Sequence, residues 1–187
     1  MLQGATNRRG VWLGVVLVII LAMVPQFLPR FYVYLGSLIL ITGLLATSLN
    51  LVLGYGGMYQ FHHAVFYGFG AYAFALFATK SGLPLWLGYA IAPICSAALG
   101  LVLGLITVRL NKLYFGMLQI SLGSLVWAIT YRWYSFTGGD DGIHGIPVPS
   151  ICEGSANAYY FNLSVAIFAL ILMYLIVNSP FGRTFKG

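Results

Sequence analysis

The chain has 187 residues, of which 60% are hydrophobic and 6% charged, and its mean hydropathy is +0.92. A water-soluble domain carries roughly 25% charged residues, so this composition excludes an ordinary soluble globular protein and makes lipid the main solvent. The net charge of +6 comes from cations set singly or in pairs, without a basic face or a nucleic-acid motif; nucleic acid is therefore excluded as a partner, and the cations read as orientation signals beside helix ends.

A membrane crossing needs about 20 apolar residues, and the chain has room for about six of them. The expected fold class is all-α: a polytopic transmembrane helical bundle of about six membrane segments, one of them broken or re-entrant. Residues 1–187 read as one membrane domain with no soluble domain boundary. The first segment is Val11 to Leu28, anchored by Arg8 and Arg9. A signal peptide would show a small-residue cleavage site and then soluble sequence; neither follows here.

The second segment runs from about Val33 to Leu53 and ends at Gly54-Tyr55-Gly56-Gly57, a backbone hinge. Glycines after a spanning run permit backbone shapes closed to other residues. Irregular backbone at membrane depth is tolerated where protein or a water-filled cavity covers it. A broken helix lining a pathway and a plain tight turn both fit. The third segment, about Met58 to Thr79, opens with Gln60, His62 and His63 and continues with Gly68, Gly70, Ala71, Ala73 and Ala75. Small residues let helices approach closely, which predicts a central position in the bundle. Adjacent histidines point to different helix faces, and no second pair sits four residues on, so a metal site is not expected. His63 is expected to form hydrogen bonds inside the bundle.

The fourth segment, about Leu83 to Val108, holds Pro93 and the pair Gly100 and Gly104. The fifth, about Tyr114 to Phe136, repeats Gly116, Gln119, Gly123, Trp127 and Thr130 at three- and four-residue steps, which places them on one helix face. A Gln in hydrocarbon needs a partner, so this face is expected to look into the bundle. Residues 137–158 form a polar loop holding all three acidic residues, Asp140, Asp141 and Glu153. The sixth segment is about Tyr159 to Val177. Cys95 and Cys152 fit neither a disulfide nor a zinc spacing.

Alternating the segments from a cytoplasmic N-terminus places Arg8, Arg9, Arg109, Lys112, Arg183 and Lys186 inside and Arg30, Lys80 and Arg132 outside. Six cations in against three out obeys the positive-inside rule. With three acidic residues and no nucleophile–His–acid arrangement, the chain offers little to an enzyme reading. There is no G-x-x-x-x-G-K-[ST] motif, so any ATP hydrolysis belongs to another chain.

Three blocks together resemble one family. The stretch Leu49 to Ala73 contains NLVLGYGGMYQFHHAVFYGFGAYA, Leu113 to Pro149 contains YFGMLQISLG and TGGDDGIHGIPVP, and Ser179 to Arg183 reads SPFGR. In order and separated by spanning segments, they are similar to the LivM-type permease subunits of bacterial branched-chain amino acid ABC importers. The resemblance implies an inner-membrane pathway subunit for leucine, isoleucine or valine. It further implies a second permease subunit, two cytoplasmic ATPases that bind ATP-Mg, and a periplasmic solute-binding protein, with no cofactor in this chain. Residue by residue, Gly54, Gly56 and Gly57 match the family's helix break. His63 with Ala64 matches its H-A pair, and Gly68, Gly70, Ala71 and Tyr72 match its close-packed helix. Gly138, Gly139, Asp141 and Gly142 match its external loop. The family often has a small residue and Gly where this chain has Gln60 and His62. After SPFGR the family continues with a loop that docks on the ATPase, so this chain is expected to be a fragment, a truncated product or a short form.

Polarity and helix face, apart from the resemblance, nominate Asn50, Gln119 and Thr130 as pathway residues. Alternative functions are a permease for urea, an amide or another small polar solute, and a non-transporting membrane scaffold subunit.

Overall fold

A computed structural model describes residues 2–107, 110, 112–180 and 182. Its helices are α1 (Leu2–Phe27), α2 (Arg30–Asn50), α3 (His63–Lys80), α4 (Leu85–Thr107), α5 (Lys112–Arg132), the single turn α6 (Tyr134–Thr137) and α7 (Ser155–Asn178). A π-helical turn, Leu51–Tyr55, continues α2, and a 3-10 turn, Ser150–Cys152, precedes α7. All six expected segments are helices, and the all-α membrane bundle read from the sequence is the fold observed. Three stretches are long and apolar enough to cross a membrane by length and composition: Arg30–Tyr55, Leu85–Thr107 and Ser155–Asn178. Gly14–Phe27 is a shorter apolar helix. α3 and α5 are diluted by Gly, Tyr, Ser and Gln, the composition of helices that pack on other helices rather than on lipid.

The helix ends depart from the apolar runs. α1 begins at Leu2 and α7 at Ser155, because polar residues with adequate helix propensity extend a helix beyond its apolar part. The fifth segment ends at Arg132, and the short α6 follows. The third starts at His63 rather than Met58, so the break after α2 is longer than the glycines alone suggest. Of the orientation charges, Arg109, Arg183 and Lys186 lie outside the described residues, as do the side chains of Arg8, Arg9 and Lys112. The same holds for Phe181 and Arg183 of the SPFGR block.

The chain forms two compact units, Met1–Leu44 with Ser150–Leu172, and Leu45–Pro149 with Met173–Gly187. The first is built around Tyr159, which is fully buried with Val33 and Leu163 and packed by Leu21, Val24, Leu40 and Ile167. Gly36 makes the close approach possible: a Cβ there would lie 3.0 Å from the Tyr159 ring. Pro25 sits inside α1 and has no N–H, so the carbonyl four residues back, on Leu21, lacks its helical donor. The Tyr159 hydroxyl donates to that carbonyl at 2.9 Å, and the Tyr160 hydroxyl donates to Ala22 at 3.2 Å.

In the second unit α3 packs mainly on α4 and also touches α5. The contact depends on small residues. A Cβ on Gly70 would lie 2.6 Å from Ser96 Oγ, which donates to the Phe66 carbonyl at 3.0 Å. Gly88 of α4 fits between Phe74 and Phe77, each ring 3.0 Å from a hypothetical Cβ. Lys80 closes the far end of α3, donating to the Phe136 carbonyl at 3.1 Å with its ammonium 4.7 Å above the Phe136 ring centroid. The ends of α3 and α5 therefore lie on the same side of this unit, as expected of two helices with one crossing between them.

Candidate functional site

The break after α2 is assembled from its own residues. Gly57 has φ +60°, a left-handed conformation that only glycine adopts without strain. Gly56 has an ordinary helical φ of −86°, and Gly54 is required by space, since a Cβ there would lie 2.6 Å from Asn50 Oδ1. His63 then ties the break together. Its Nε2 pairs with Ser48 Oγ at 2.6 Å and its Nδ1 with Gln60 Oε1 at 3.1 Å. One imidazole thus joins the end of α2 to the irregular segment before α3.

Two cavities open in this unit, one among α3, α4, α5 and α6 and one beside the broken segment. The larger, about 490 Å³, is lined almost wholly by apolar side chains, among them Phe69, Tyr72, Val126, Trp127 and Trp133, together with Gly68 and Thr130. The smaller, about 140 Å³, is bounded by the broken segment, α4 and α5. Its polar lining is Gln60, His62, Thr107 and Gln119; Gly100 and Gly104 border it too, so this glycine pair opens space rather than forming a helix seam. Gly123 of α5 admits the segment closely, a Cβ there lying 3.0 Å from His62 Cβ, and Gly116 does the same for the Phe61 ring at 3.1 Å.

His62 is 5% exposed and Gln119 3%. His62 and Gln119 face each other as a buried polar pair beside the small cavity. Sequence reasoning missed His62. Adjacent to His63 and just outside the helix, with φ −98° and ψ 20°, it escapes any helical face assignment.

The nominated pathway residues are not brought together. Gln119 lines the small cavity and Thr130 the large one. Asn50 is exposed with its amide over Gly54, and the Thr130 hydroxyl donates within α5 to the Val126 carbonyl at 2.9 Å. The expected α5 face holds at Gly116, Gln119 and Gly123, all buried, but Trp127 is 65% exposed and borders the large cavity. The face stops being packed there because the larger void opens beside it.

The loop after α6 is held by its backbone. Gly138, Gly139, Gly142 and Gly145 have φ of +79°, +56°, +71° and +71°. Gly138 and Gly142 are so close that a Cβ on Gly138 would overlap the Gly142 carbonyl. The Tyr134 hydroxyl donates to Asp141 Oδ2 at 2.5 Å. That bond, ahead of burial, raises the Tyr134 phenol above its ordinary pKa.

Residues 31–187 match the family model described as branched-chain amino acid transport system / permease component. The high-affinity branched-chain amino acid transport system permease proteins LivM of Salmonella typhimurium and of Escherichia coli are each 32% identical over 150 residues, 80% of this chain and 35% of theirs. The chain therefore spans about a third of the length of these curated relatives. No solved structure matches it. A family match over most of the chain, on a bundle of apolar helices, establishes a multi-pass membrane protein that belongs to the branched-chain amino acid transport permease family.

Proposed function

We infer that this chain is the pathway-forming part of a permease subunit in an ATP-binding-cassette importer of branched-chain amino acids. The observation that carries the reading is the family match over residues 31–187 together with 32% identity to two LivM permeases. On this reading the protein resides in the bacterial inner membrane with a cytoplasmic N-terminus. It pairs with a second permease subunit, two cytoplasmic ATPases that use ATP-Mg, and a periplasmic solute-binding protein, and it is not itself an enzyme. The glycine-bearing break after α2 supports a pathway role, because transporters place irregular backbone where it lines a cavity. The loop at 137–149 presents a fixed backbone suited to an extracytoplasmic partner.

Uptake of radiolabelled leucine tests the reading. Cells lacking branched-chain permeases and supplied with the complete importer containing this chain are expected to accumulate leucine in an ATP-dependent manner. Failure to accumulate leucine, isoleucine or valine, with a known importer active in the same cells, would overturn it; a repeat with urea reads the alternative solute.

A further inference from the structure

We propose that the larger cavity is a site for an anionic phospholipid, one acyl chain lying along α3 and the headgroup phosphate meeting Lys80. The proposal needs only the membrane setting and does not rest on the importer reading. Ala64, Gly68, Tyr72 and Leu76 line the cavity at four-residue steps, which makes them one ridge of α3. Lys80 is the next residue in that series and the last of the helix. From Ala64 to Leu76 the helix rises roughly 18 Å, at about 1.5 Å per residue. That is close to the depth of one leaflet, half of a hydrocarbon core about 30 Å thick. An apolar trough one leaflet long that ends at a cation has the outline of a phospholipid.

The trough is accessible. Trp127, Trp133 and Phe136 on its walls are all exposed, and a Cβ on Gly68 would meet nothing within 4 Å. Its two threonines spend their hydroxyls on backbone: Thr130 donates to the Val126 carbonyl at 2.9 Å and Thr137 to the Thr130 carbonyl at 2.6 Å. The walls therefore suit an aliphatic chain and offer a charged group no partner along their length. At the end of α3 the chemistry changes. The Lys80 ammonium lies 4.7 Å above the ring centroid of Phe136 and gives one N–H to the Phe136 carbonyl at 3.1 Å. An ammonium has three donors, so two are left for phosphate oxygens. Arg132, exposed in the last turn of α5 and followed by the wall residue Trp133, adds a second cation. Tryptophan is itself a residue of the headgroup level. An acyl chain leaves other acyl chains to enter the trough, so burial alone contributes little; the fit of the chain and the pairing of cation with phosphate select the occupant.

Quenching of tryptophan by brominated lipid tests the site on the whole chain. Trp12→Phe and Trp86→Phe leave Trp127 and Trp133, both on the cavity wall, as the reporters. This parent is reconstituted in phosphatidylcholine vesicles with rising fractions of phosphatidylglycerol brominated on its acyl chains. A quenching component that saturates at low mole fraction is expected, above the linear rise given by bulk lipid. Gly68→Leu fills the trough and is expected to weaken that component about tenfold. Lys80→Gln is expected to weaken it about fivefold, the effect of one cation beside an anionic headgroup. Ala98→Leu, exposed on α4 and outside the lining, binds as the parent, and helix content by circular dichroism is unchanged in all three. Quenching that rises only linearly, or a saturable component that survives both variants, overturns the proposal. So does a component that Gly68→Leu removes and Lys80→Gln leaves intact, since the phosphate is then not at Lys80. Tryptophans shielded from quenching at every fraction would mean that protein covers the wall, a second copy or another helix, and the proposal fails.

Discussion

Replacing Tyr159 by Phe isolates one hydrogen bond. The side chain is fully buried, and its hydroxyl donates to the Leu21 carbonyl that Pro25 leaves without a helical donor. Phe fills the same space, so packing is retained and only the oxygen is lost. A neutral hydrogen bond contributes about 1 kcal/mol net, and interhelical bonds in membranes average about 0.6 kcal/mol with a maximum near 1.7. The expected loss is therefore about 1 kcal/mol, because a part-buried carbonyl is left unpaired. The same change in a Pro25→Ala background is expected to cost only a few tenths of a kcal/mol, since an alanine in place of the proline supplies a backbone N–H to the Leu21 carbonyl. The assay is reversible unfolding of the full-length permease in mixed micelles by increasing sodium dodecyl sulfate, followed by tryptophan fluorescence, for all four members of the cycle. An equal cost of Tyr159→Phe in both backgrounds would refute the idea that the tyrosine compensates for the proline.

Gly70→Ala is expected to loosen α3 from α4 by about 1–3 kcal/mol, the usual range for an overpacked contact, because its methyl meets Ser96 Oγ. The double variant Gly70→Ala, Ser96→Ala is expected to recover part of this, and the same unfolding assay reads it; no recovery would place the clash elsewhere. The Tyr134 phenol, held above its ordinary value of about 10 by its bond to Asp141, stabilises the folded loop below pH ~10 and loses that contribution as pH rises through the raised value. Ultraviolet titration is expected to show late-ionising phenol absorbance, part of which Asp141→Asn moves towards the ordinary range; an unchanged titration would mean the bond does not form in solution.

The apolar runs made the helices legible because hydrophobic length is a one-dimensional property, and every predicted segment contains a helix. The break was half legible. Gly57 announces itself, since φ +60° needs glycine, but Met58 to Phe61 carry no turn signal. Their irregular backbone is fixed by contacts made far along the chain, Phe61 on Gly116 and His62 on Gly123. The site divides the same way. Gln119 was readable because a regular helix fixes its face and a polar side chain there demands a partner. Asn50 and Thr130 satisfied the same test of polarity, yet Thr130 bonds to its own helix and Asn50 covers its own Gly54, local solutions that helix-face reasoning does not exclude. His62 lies where neither helical nor extended periodicity applies, and its neighbour His63 took the bonds that sequence reasoning assigned to a buried histidine. The separation of roles follows from one backbone step. His63, the first residue of α3, turns back to brace the break against α2, while His62, one residue earlier, is buried against Gln119 and Gly123 of α5. Consecutive residues thus tie the broken segment to two different helices, so a mutation at His63 is expected to loosen it from α2, whereas one at His62 is expected to loosen it from α5.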